Sequence, residues 1–173
     1  MGSGMWFDTD KVLIGGQWLP PARGESLELV NPSDGSPLAR IARGTSEDMD
    51  AAVSAVWAAE TAAERGRLML DLSRLILARI EELARIEALD VGKPLKQARA
   101  DALAMARYFE FYGGAADKIM GDTIPYHSGY SVWTSREPHG VTGHIVPWNY
   151  PMQILARSLS AALAMGNACV IKP

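Results

Sequence analysis

The feature that most constrains the fold is a short unit near the end of the sequence. Residues 140–151 have the sequence GVTGHIVPWNYP, and residues 166–173 have the sequence GNACVIKP. Each segment contains a short, partly β-branched apolar run that a proline stops, which is typical of buried parallel strands. Between them, apolar side chains recur every three or four residues, as on one face of a helix. The pattern predicts a β-α-β unit with parallel strands.

The turn between the first strand and the helix is the candidate functional segment. Pro151 suits the first turn of a helix, whose N-terminus exposes unpaired N–H groups and a partial positive charge. The Asn149 amide adds a hydrogen-bond donor there. Together with the N–H groups of the helix N-terminus, it would suit a phosphate or a developing oxyanion. Lys172 ends the second strand, so both side chains are expected at the sheet edge where open α/β folds bind ligands. The alternative is a well-packed turn with a locally satisfied Asn149, since Pro and Asn are ordinary turn residues.

The first part of the chain predicts short strands, and the middle predicts three helices. Residues 12–42 contain apolar runs on either side of the turn sequence NPSDG at 31–35, which indicates a hairpin. The helices are expected at about residues 45–63, 64–89 and 94–108, with the Gly113-Gly114 pair weakening or bending the third near its end. The inner face of the second helix is predicted from its spacing to hold Leu68, Leu72, Leu75, Ile76, the stem of Arg79, Leu83, Ile86 and Leu89.

At these residues the sequence resembles the NAD(P)-dependent aldehyde dehydrogenases. Residues 136–151 resemble the strand and loop that lead into that family's cofactor site, and residues 161–173 resemble its next helix end and strand. Weaker matches upstream are IGGQW at 14–18, VNPSDG at 30–35 and DVGKP at 90–94. The resemblance extends over roughly residues 11–173 and implies an α/β fold, the N-terminal part of an aldehyde dehydrogenase-like fold. Its expected order is β-hairpins, three helices and an incomplete, Rossmann-like parallel β-α-β unit.

The resemblance also implies a division of the chain. Residues 1–10 are expected to be a tag or a disordered lead. Residues 11–121 would form the N-terminal part of the cofactor-binding domain, and 138–173 the start of its Rossmann-like sheet. Residues 122–137 would be a β arm that pairs with a neighbouring subunit, a role for which an exposed edge strand is suited. The complete protein would then be a homo-oligomer, a dimer or a tetramer.

The same resemblance implies an oxidation of an aldehyde to a carboxylic acid with NAD or NADP as hydride acceptor. Asn149 would be the amide that stabilises the oxyanion, and Lys172 would contact the adenosine ribose. The wall of the cofactor site would consist of Ile145, Val146, Pro147 and Trp148. In such enzymes the cofactor carries the redox chemistry and the protein positions it.

The sequence departs from the family pattern because the family's nucleophilic cysteine and general-base glutamate come from segments further along the chain. Cys169 lies in an apolar strand pattern and is expected to be an inert core thiol. No glycine-rich GxGxxG turn occurs. We therefore expect the 173 residues alone to be inactive. The alternative, from a different class of function, is a non-catalytic fragment that retains only cofactor-wall or subunit-assembly contacts.

Composition excludes several other classes. A net charge of −3 gives no basic footprint for nucleic acid, and the most apolar window contains Arg157, Gly166 and Asn167, which makes it a poor membrane span. One cysteine excludes a disulfide framework and fits a cytoplasmic protein. His127, His139 and His144 have no carboxylate or cysteine at a metal-ligand spacing, so no metal site is predicted.

Overall fold

The chain begins with two antiparallel hairpins. The computed structural model describes residues 7–53 and 60–173. The strands are β1 (Val12–Ile14), β2 (Gln17–Leu19), β3 (Ser26–Val30) and β4 (Pro37–Ala42), paired β1 with β2 and β3 with β4. Gly15 and Gly16 both have positive φ, as the two-residue turn between β1 and β2 requires. The predicted hairpin around residues 31–35 is confirmed, and Asn31 accepts a hydrogen bond from the Ser33 N–H within its turn.

Four helices follow within the described residues, whereas three were predicted. They are α1 (Ser46–Val53), α2 (Ala62–Ala78), α3 (Ile80–Val91) and α4 (Leu95–Ala115). The predicted helix at 64–89 is wrong because Arg79 leaves helical geometry, with φ −120° and ψ 21°, and separates α2 from α3. Residues 54–59 of the predicted first helix lie outside the described residues, and its predicted end near residue 63 is wrong. Thr61 and Glu64 form a capping box that starts α2 instead.

The buried face of α2 also differs from the prediction. Leu68, Leu72 and Leu75 are exposed, and Arg79 is half exposed rather than turned inward. The residues that α2 buries are instead Gly66, Met69, Ser73 and Ile76. This face permits close approach of α2 to α4. The backbones of Gly66 and Gly113 are in contact at the crossing. The Ser73 hydroxyl donates a hydrogen bond to the Ala106 carbonyl at 2.8 Å. Small residues at the crossing thus decide the rotation of α2.

The core lies where α2, α4 and α5 (Pro151–Ala164) pack together. Its buried members are Met69, Ile76, Ala106, Phe109, Ala116, Ala156 and Ala164. Helix α4 continues through Gly113 and Gly114 to Ala115, so the expected weakening does not end the helix there. The aromatic residues of the sequence RYFEFY at 107–112 are predicted to pack between helices, and one of them, Phe109, is fully buried in this core.

A small antiparallel pair and a parallel pair complete the fold. Strands β5 (Thr123–Ile124) and β6 (Val132–Trp133) pair within the segment predicted as an arm. Alternating polar and apolar residues at 130–136 predict a half-exposed strand there, and β6 is shorter than that. Strands β7 (Val141–Ile145) and β8 (Ala168–Lys172) flank α5 and pair in parallel. Gly166 follows the apolar helix pattern at the position where the sequence predicts a left-handed cap, and its φ of 87° confirms the cap. The parallel β-α-β unit predicted from sequence is therefore confirmed.

The helix crossing generates a paired prediction. A Cβ atom on Gly113 would lie 3.0 Å from the Gly66 carbonyl oxygen and 3.1 Å from the Met69 Cβ, whereas one on Gly114 would meet nothing within 4 Å. Gly113→Ala should lower the free energy of unfolding by about 1–3 kcal/mol because the helices must move apart. Gly114→Ala, the matched control, should raise it by up to about 1 kcal/mol through helix propensity. Urea unfolding of both variants measures the difference, and equal stabilities would contradict the packing described for this crossing.

Candidate active site

The parallel register brings the ends of β7 and β8 to the same edge of the sheet. Ile145 lies opposite Lys172, and the Val146 N–H donates to the Lys172 carbonyl at 3.0 Å. Asn149 follows in the turn that leaves β7, and Lys172 is the last residue of β8. Both residues are exposed at this edge. The sequence expectation that the two strands point the same way and end together is confirmed.

The residues between β7 and α5 present an open apolar surface. Ile145 is 83% exposed and Trp148 is 78% exposed, and Pro147 is exposed as well. Val146 differs because its side chain is buried. The turn thus presents three exposed apolar side chains next to the strand end that carries Lys172, while the buried Val146 side chain anchors it to the core.

The Asn149 side chain is available for a ligand. Among residues 7–53 and 60–173, none forms a hydrogen bond with its carboxamide. The alternative interpretation, an Asn149 satisfied within its own turn, therefore finds no support in this part of the chain. An exposed amide beside a helix N-terminus is the arrangement that can donate to a negative oxygen.

The N-terminus of α5 is capped by a residue from a distant helix. Tyr150 is the N-cap residue but makes no capping hydrogen bond with its side chain, and Pro151 occupies the first turn. The Met152 N–H instead donates to the Glu87 carboxylate at 3.3 Å, although Glu87 lies in α3. A carboxylate at this position compensates both the unpaired N–H and the positive end of the helix dipole.

Glu87 belongs to a polar cluster built around two buried carboxylates, which we name the Lys93 cluster and which comprises Glu87, Lys93, Gln97, Asp101 and Gln153. Lys93 Nζ lies 2.5 Å from Glu87 Oε1 and 2.7 Å from Asp101 Oδ2. The Gln153 amide donates to Asp101 Oδ1 at 2.7 Å, and the Gln97 amide donates to the same atom at 3.0 Å. Glu87 is 3% exposed and Asp101 is fully buried. The cluster therefore joins α3, α4 and the first turn of α5 in the protein interior.

Burial and hydrogen bonding set the charges of this cluster. Burial raises the pKa of Glu87, although the hydrogen bond from Lys93 opposes the rise. Burial acts to raise the pKa of Asp101 too, but the hydrogen bonds from Lys93 and Gln97 outweigh it and hold that pKa below its ordinary value. Burial acts to lower the pKa of Lys93, and its hydrogen bonds to Asp101 and Glu87 prevail and raise it. Lys93 is thus an ammonium group that faces an ionised Asp101.

Sequence analysis missed the Lys93 cluster. The sequence singles out the DVGKP segment only by its resemblance to a helix junction, and charge runs on such helices are typical of solvated faces. The Lys93 ammonium group also lies 4.2 Å from the centre of the Tyr150 ring, so the N-cap residue of α5 contacts it directly. Only the fold reveals the association, because Glu87 and Met152 are 65 residues apart.

The buried polar groups beneath the sheet are engaged in structure. Both ring nitrogens of His144 have partners, the Ser158 hydroxyl at Nδ1 and the Thr142 hydroxyl at Nε2. Asn167 accepts from the Gly140 N–H and donates to the Ala162 carbonyl, which ties the end of α5 to the start of β7. These contacts give His144 a structural role, because its ring ties β7 to α5 through the Ser158 hydroxyl.

Cys169 has the environment of an inert thiol. It is half buried in β8 and contacts the Thr142 hydroxyl at 3.5 Å. Burial raises the pKa of the Cys169 thiol above its ordinary value, although the hydrogen bond between Cys169 and Thr142 opposes the rise. Because the thiolate is the reactive form, this environment disfavours nucleophilic attack at neutral pH.

An open cleft of about 430 Å³ lies between α4 and α5. The side chains that line it are Tyr108, Tyr112, Ile154, Arg157 and Ser158. Two members of the aromatic cluster predicted to pack between helices, Tyr108 and Tyr112, therefore face this cleft. In the part of the chain that the structure describes, no three or more His, Cys, Asp or Glu residues are grouped to hold a metal ion, and no helix is long and apolar enough to cross a membrane.

Comparisons with known proteins identify the family. The model of the aldehyde dehydrogenase family matches residues 18–173. Hydroxyisobutyraldehyde dehydrogenase of Mycolicibacterium austroafricanum is 45% identical over 166 residues, which are 92% of this chain and 33% of that protein. A crystal structure from Burkholderia cenocepacia, assigned to the aldehyde dehydrogenases, is 62% identical with a TM-score of 0.91 over 94% of this chain and 36% of that one.

A structure with a bound cofactor is also similar. PnpE from Pseudomonas sp. WBC-3, in complex with nicotinamide adenine dinucleotide, is 40% identical with a TM-score of 0.92, over 96% of this chain and 36% of that one. The chain spans about a third of the length of these relatives. The predicted α/β fold, the N-terminal part of an aldehyde dehydrogenase structure, is confirmed. The chain belongs to the aldehyde dehydrogenase family.

Proposed function

We propose that this chain supplies the N-terminal part of an NAD(P)-dependent aldehyde dehydrogenase, which oxidises an aldehyde to a carboxylic acid. The observation that carries the proposal is the common end of β7 and β8, which places the exposed residues Asn149 and Lys172 at one edge of the sheet. This edge is the usual ligand site of a parallel α/β sheet. The similarity to an enzyme crystallised with a nicotinamide cofactor supports the same assignment.

The residues at the edge fit a dinucleotide. Ile145, Pro147 and Trp148 offer exposed apolar surface for the cofactor, and buried Val146 fixes the backbone beneath it. Lys172 offers N–H donors to the ribose hydroxyls. When bound, the cofactor would accept the hydride from the substrate. The role of these residues is to hold and orient it against the aldehyde.

Asn149 would act on the aldehyde oxygen. When a nucleophile adds to the carbonyl carbon, the C=O π electrons move onto oxygen, and the Asn149 amide donates a hydrogen bond to the resulting oxyanion. The nucleophile and the base that activates water would come from other segments of the enzyme, since Cys169 is half buried and its thiol is held protonated. Asn149 would stabilise the transition state more than the bound aldehyde, which is the requirement for catalysis.

The arm and the domain division belong to the same proposal. Residues 11–121 and 138–173 would form parts of the cofactor-binding domain, and residues 122–137 would pair with a neighbouring subunit in a dimer or a tetramer. Tyr126, Tyr130 and Trp133 support this role because they are large and exposed around the short β5–β6 pair.

The second candidate is a non-catalytic fragment that retains only cofactor-wall or subunit-assembly contacts. The discriminating observation is the coding sequence after codon 173. A downstream cysteine in a glycine-rich loop and a separate glutamate would support the enzyme, and a stop codon would support the fragment.

Asn149→Ala tests the oxyanion role. Loss of one correctly placed donor should lower kcat of the complete enzyme about 10²–10³-fold, with smaller changes in KM. Steady-state kinetics with a panel of aldehydes and both nicotinamide cofactors measures the effect. Gln17→Ala, which removes an exposed amide from β2, is the matched control and should leave kcat unchanged. A kcat for Asn149→Ala equal to that of the unaltered enzyme would remove Asn149 from this role.

Lys172→Ala tests the cofactor contact separately. Removal of a charged donor should raise the KM for the cofactor about tenfold or more and change kcat much less, because the contact is made both before and during the reaction. Lys96→Ala, at an exposed position of α4, removes the same charge away from the site and serves as the control. Equal cofactor KM values for the two variants would argue against a ribose contact by Lys172.

Cys169→Ser tests the assignment of Cys169 as a structural thiol. The variant should keep kcat within about twofold, since the buried, protonated thiol takes no part in the reaction. In the unaltered protein, iodoacetamide should label the Cys169 peptide at neutral pH far more slowly than after unfolding in urea, as measured by mass spectrometry. Loss of turnover without loss of thermal stability would instead assign Cys169 to the chemistry.

A further inference from the structure

We propose that the Lys93 cluster positions Asn149 by fixing the start of α5, so that Glu87, Lys93 and Asp101 are positioning residues for the oxyanion site. This inference rests on the proposed function for the role of Asn149, and it adds a set of residues that lie outside the cofactor edge. Among the described residues, none forms a hydrogen bond with the Asn149 carboxamide. The direction of that side chain therefore depends on the backbone of its turn.

The turn is held at both ends, and the two ends are held differently. At the β7 end, the Val146 N–H bonds to the Lys172 carbonyl and the Val146 side chain is buried, so strand pairing fixes the chain. At the α5 end, Tyr150 provides no side-chain cap. Glu87 caps the Met152 N–H in its place. Asn149 stands between these two anchors, immediately before Tyr150.

Three contacts from the cluster reach the first turn of α5. Glu87 accepts from the Met152 N–H, Asp101 accepts from the Gln153 amide at 2.7 Å, and the Lys93 ammonium group lies 4.2 Å from the centre of the Tyr150 ring. Residues 150, 152 and 153 are thus all in contact with one buried group of charges. These three contacts fix both the position and the rotation of the first turn of α5. A single capping hydrogen bond would leave the helix free to rotate about that bond.

Lys93 is the centre of the arrangement. Its ammonium group bridges Glu87 and Asp101, the two carboxylates that hold α5. Within the described residues every buried side-chain nitrogen and oxygen has a hydrogen-bond partner, so the cluster is fully satisfied. Removing the ammonium group would leave two carboxyl groups buried side by side without compensation. They would separate or take up water, and the helix start would lose its fixed position.

If the cluster only stabilised the fold, a substitution in it would lower the amount of folded enzyme. If the cluster positions Asn149, the substitution lowers kcat of the enzyme that remains folded. Misplacement of a catalytic group by about 1 Å can lower a rate 10²-fold. The expected signature is therefore a lower kcat with nearly unchanged KM values, and an effect that disappears once Asn149 is removed.

Lys93→Met and Asn149→Ala, singly and together in the complete enzyme, provide the test. Lys93→Met should lower kcat per folded active site about 10-fold or more in the otherwise unaltered enzyme. In the Asn149→Ala enzyme, adding Lys93→Met should lower kcat by less than about twofold. Glu87→Gln, which keeps the size of the side chain and weakens the cap on Met152, is the second variant should Lys93→Met fail to fold. Ser73→Ala is the control because it removes a buried hydrogen bond between α2 and α4 and should lower stability without lowering kcat.

Hydrogen exchange of the backbone provides a readout that does not depend on turnover. The amides of Met152 and Ile154, which are hydrogen-bonded to Glu87 and to the Tyr150 carbonyl, should exchange faster in Lys93→Met or Glu87→Gln than in Ser73→Ala. Unchanged exchange at these two amides would overturn the proposal whatever the activity, and so would an equal loss of kcat from Lys93→Met with and without Asn149. If the complete enzyme oxidises no aldehyde, the proposed function fails, and the exchange data alone then decide whether the cluster positions the turn.

Discussion

The parallel pairing of β7 with β8 is the constraint on which the site depends. Backbone hydrogen bonds in a parallel pair fix which residues lie opposite each other, and here they set Ile145 against Lys172. A shift of one residue would turn every side chain of a strand to the other face of the sheet. Because β7 ends where β8 ends, the turn that carries Asn149 and the end of the strand that carries Lys172 share one edge of the sheet.

The helices support this edge through two kinds of interior contact. Close packing of α2 on α4 depends on small residues, with Gly66 and Gly113 at the point of nearest approach. Packing of α3 and α4 on the start of α5 depends instead on buried charge, centred on Lys93. Apolar packing tolerates small shifts of the helices. A buried ion pair whose hydrogen bonds are all formed holds its partners in one relative position. Charge therefore lies at the N-terminal end of α5, beside the turn that carries Asn149.

Local signals allowed the hairpin around residues 31–35, the β-α-β unit and the cap at Gly166 to be predicted, since turn residues and short periodic runs determine them. The segment around Arg79, where α2 ends and α3 begins, contains no glycine or proline, so no local signal in the sequence marks that boundary. The buried face of α2 was predicted from its leucines, but the Gly66–Gly113 contact with a distant helix decides it. In the site, Asn149 and Lys172 stand in recognisable motifs, whereas Glu87 reaches Met152 only through the fold.

The central claim is that Asn149 and Lys172 line one crevice that a nicotinamide cofactor occupies. A crystal structure of the complete enzyme with bound NAD or NADP tests it most directly. The account predicts the adenosine ribose within hydrogen-bond distance of Lys172 Nζ, the cofactor lying along Ile145, Pro147 and Trp148, and the Asn149 amide facing the aldehyde site beside the nicotinamide. A cofactor bound away from the ends of β7 and β8, or an Asn149 side chain turned from the crevice, would contradict it.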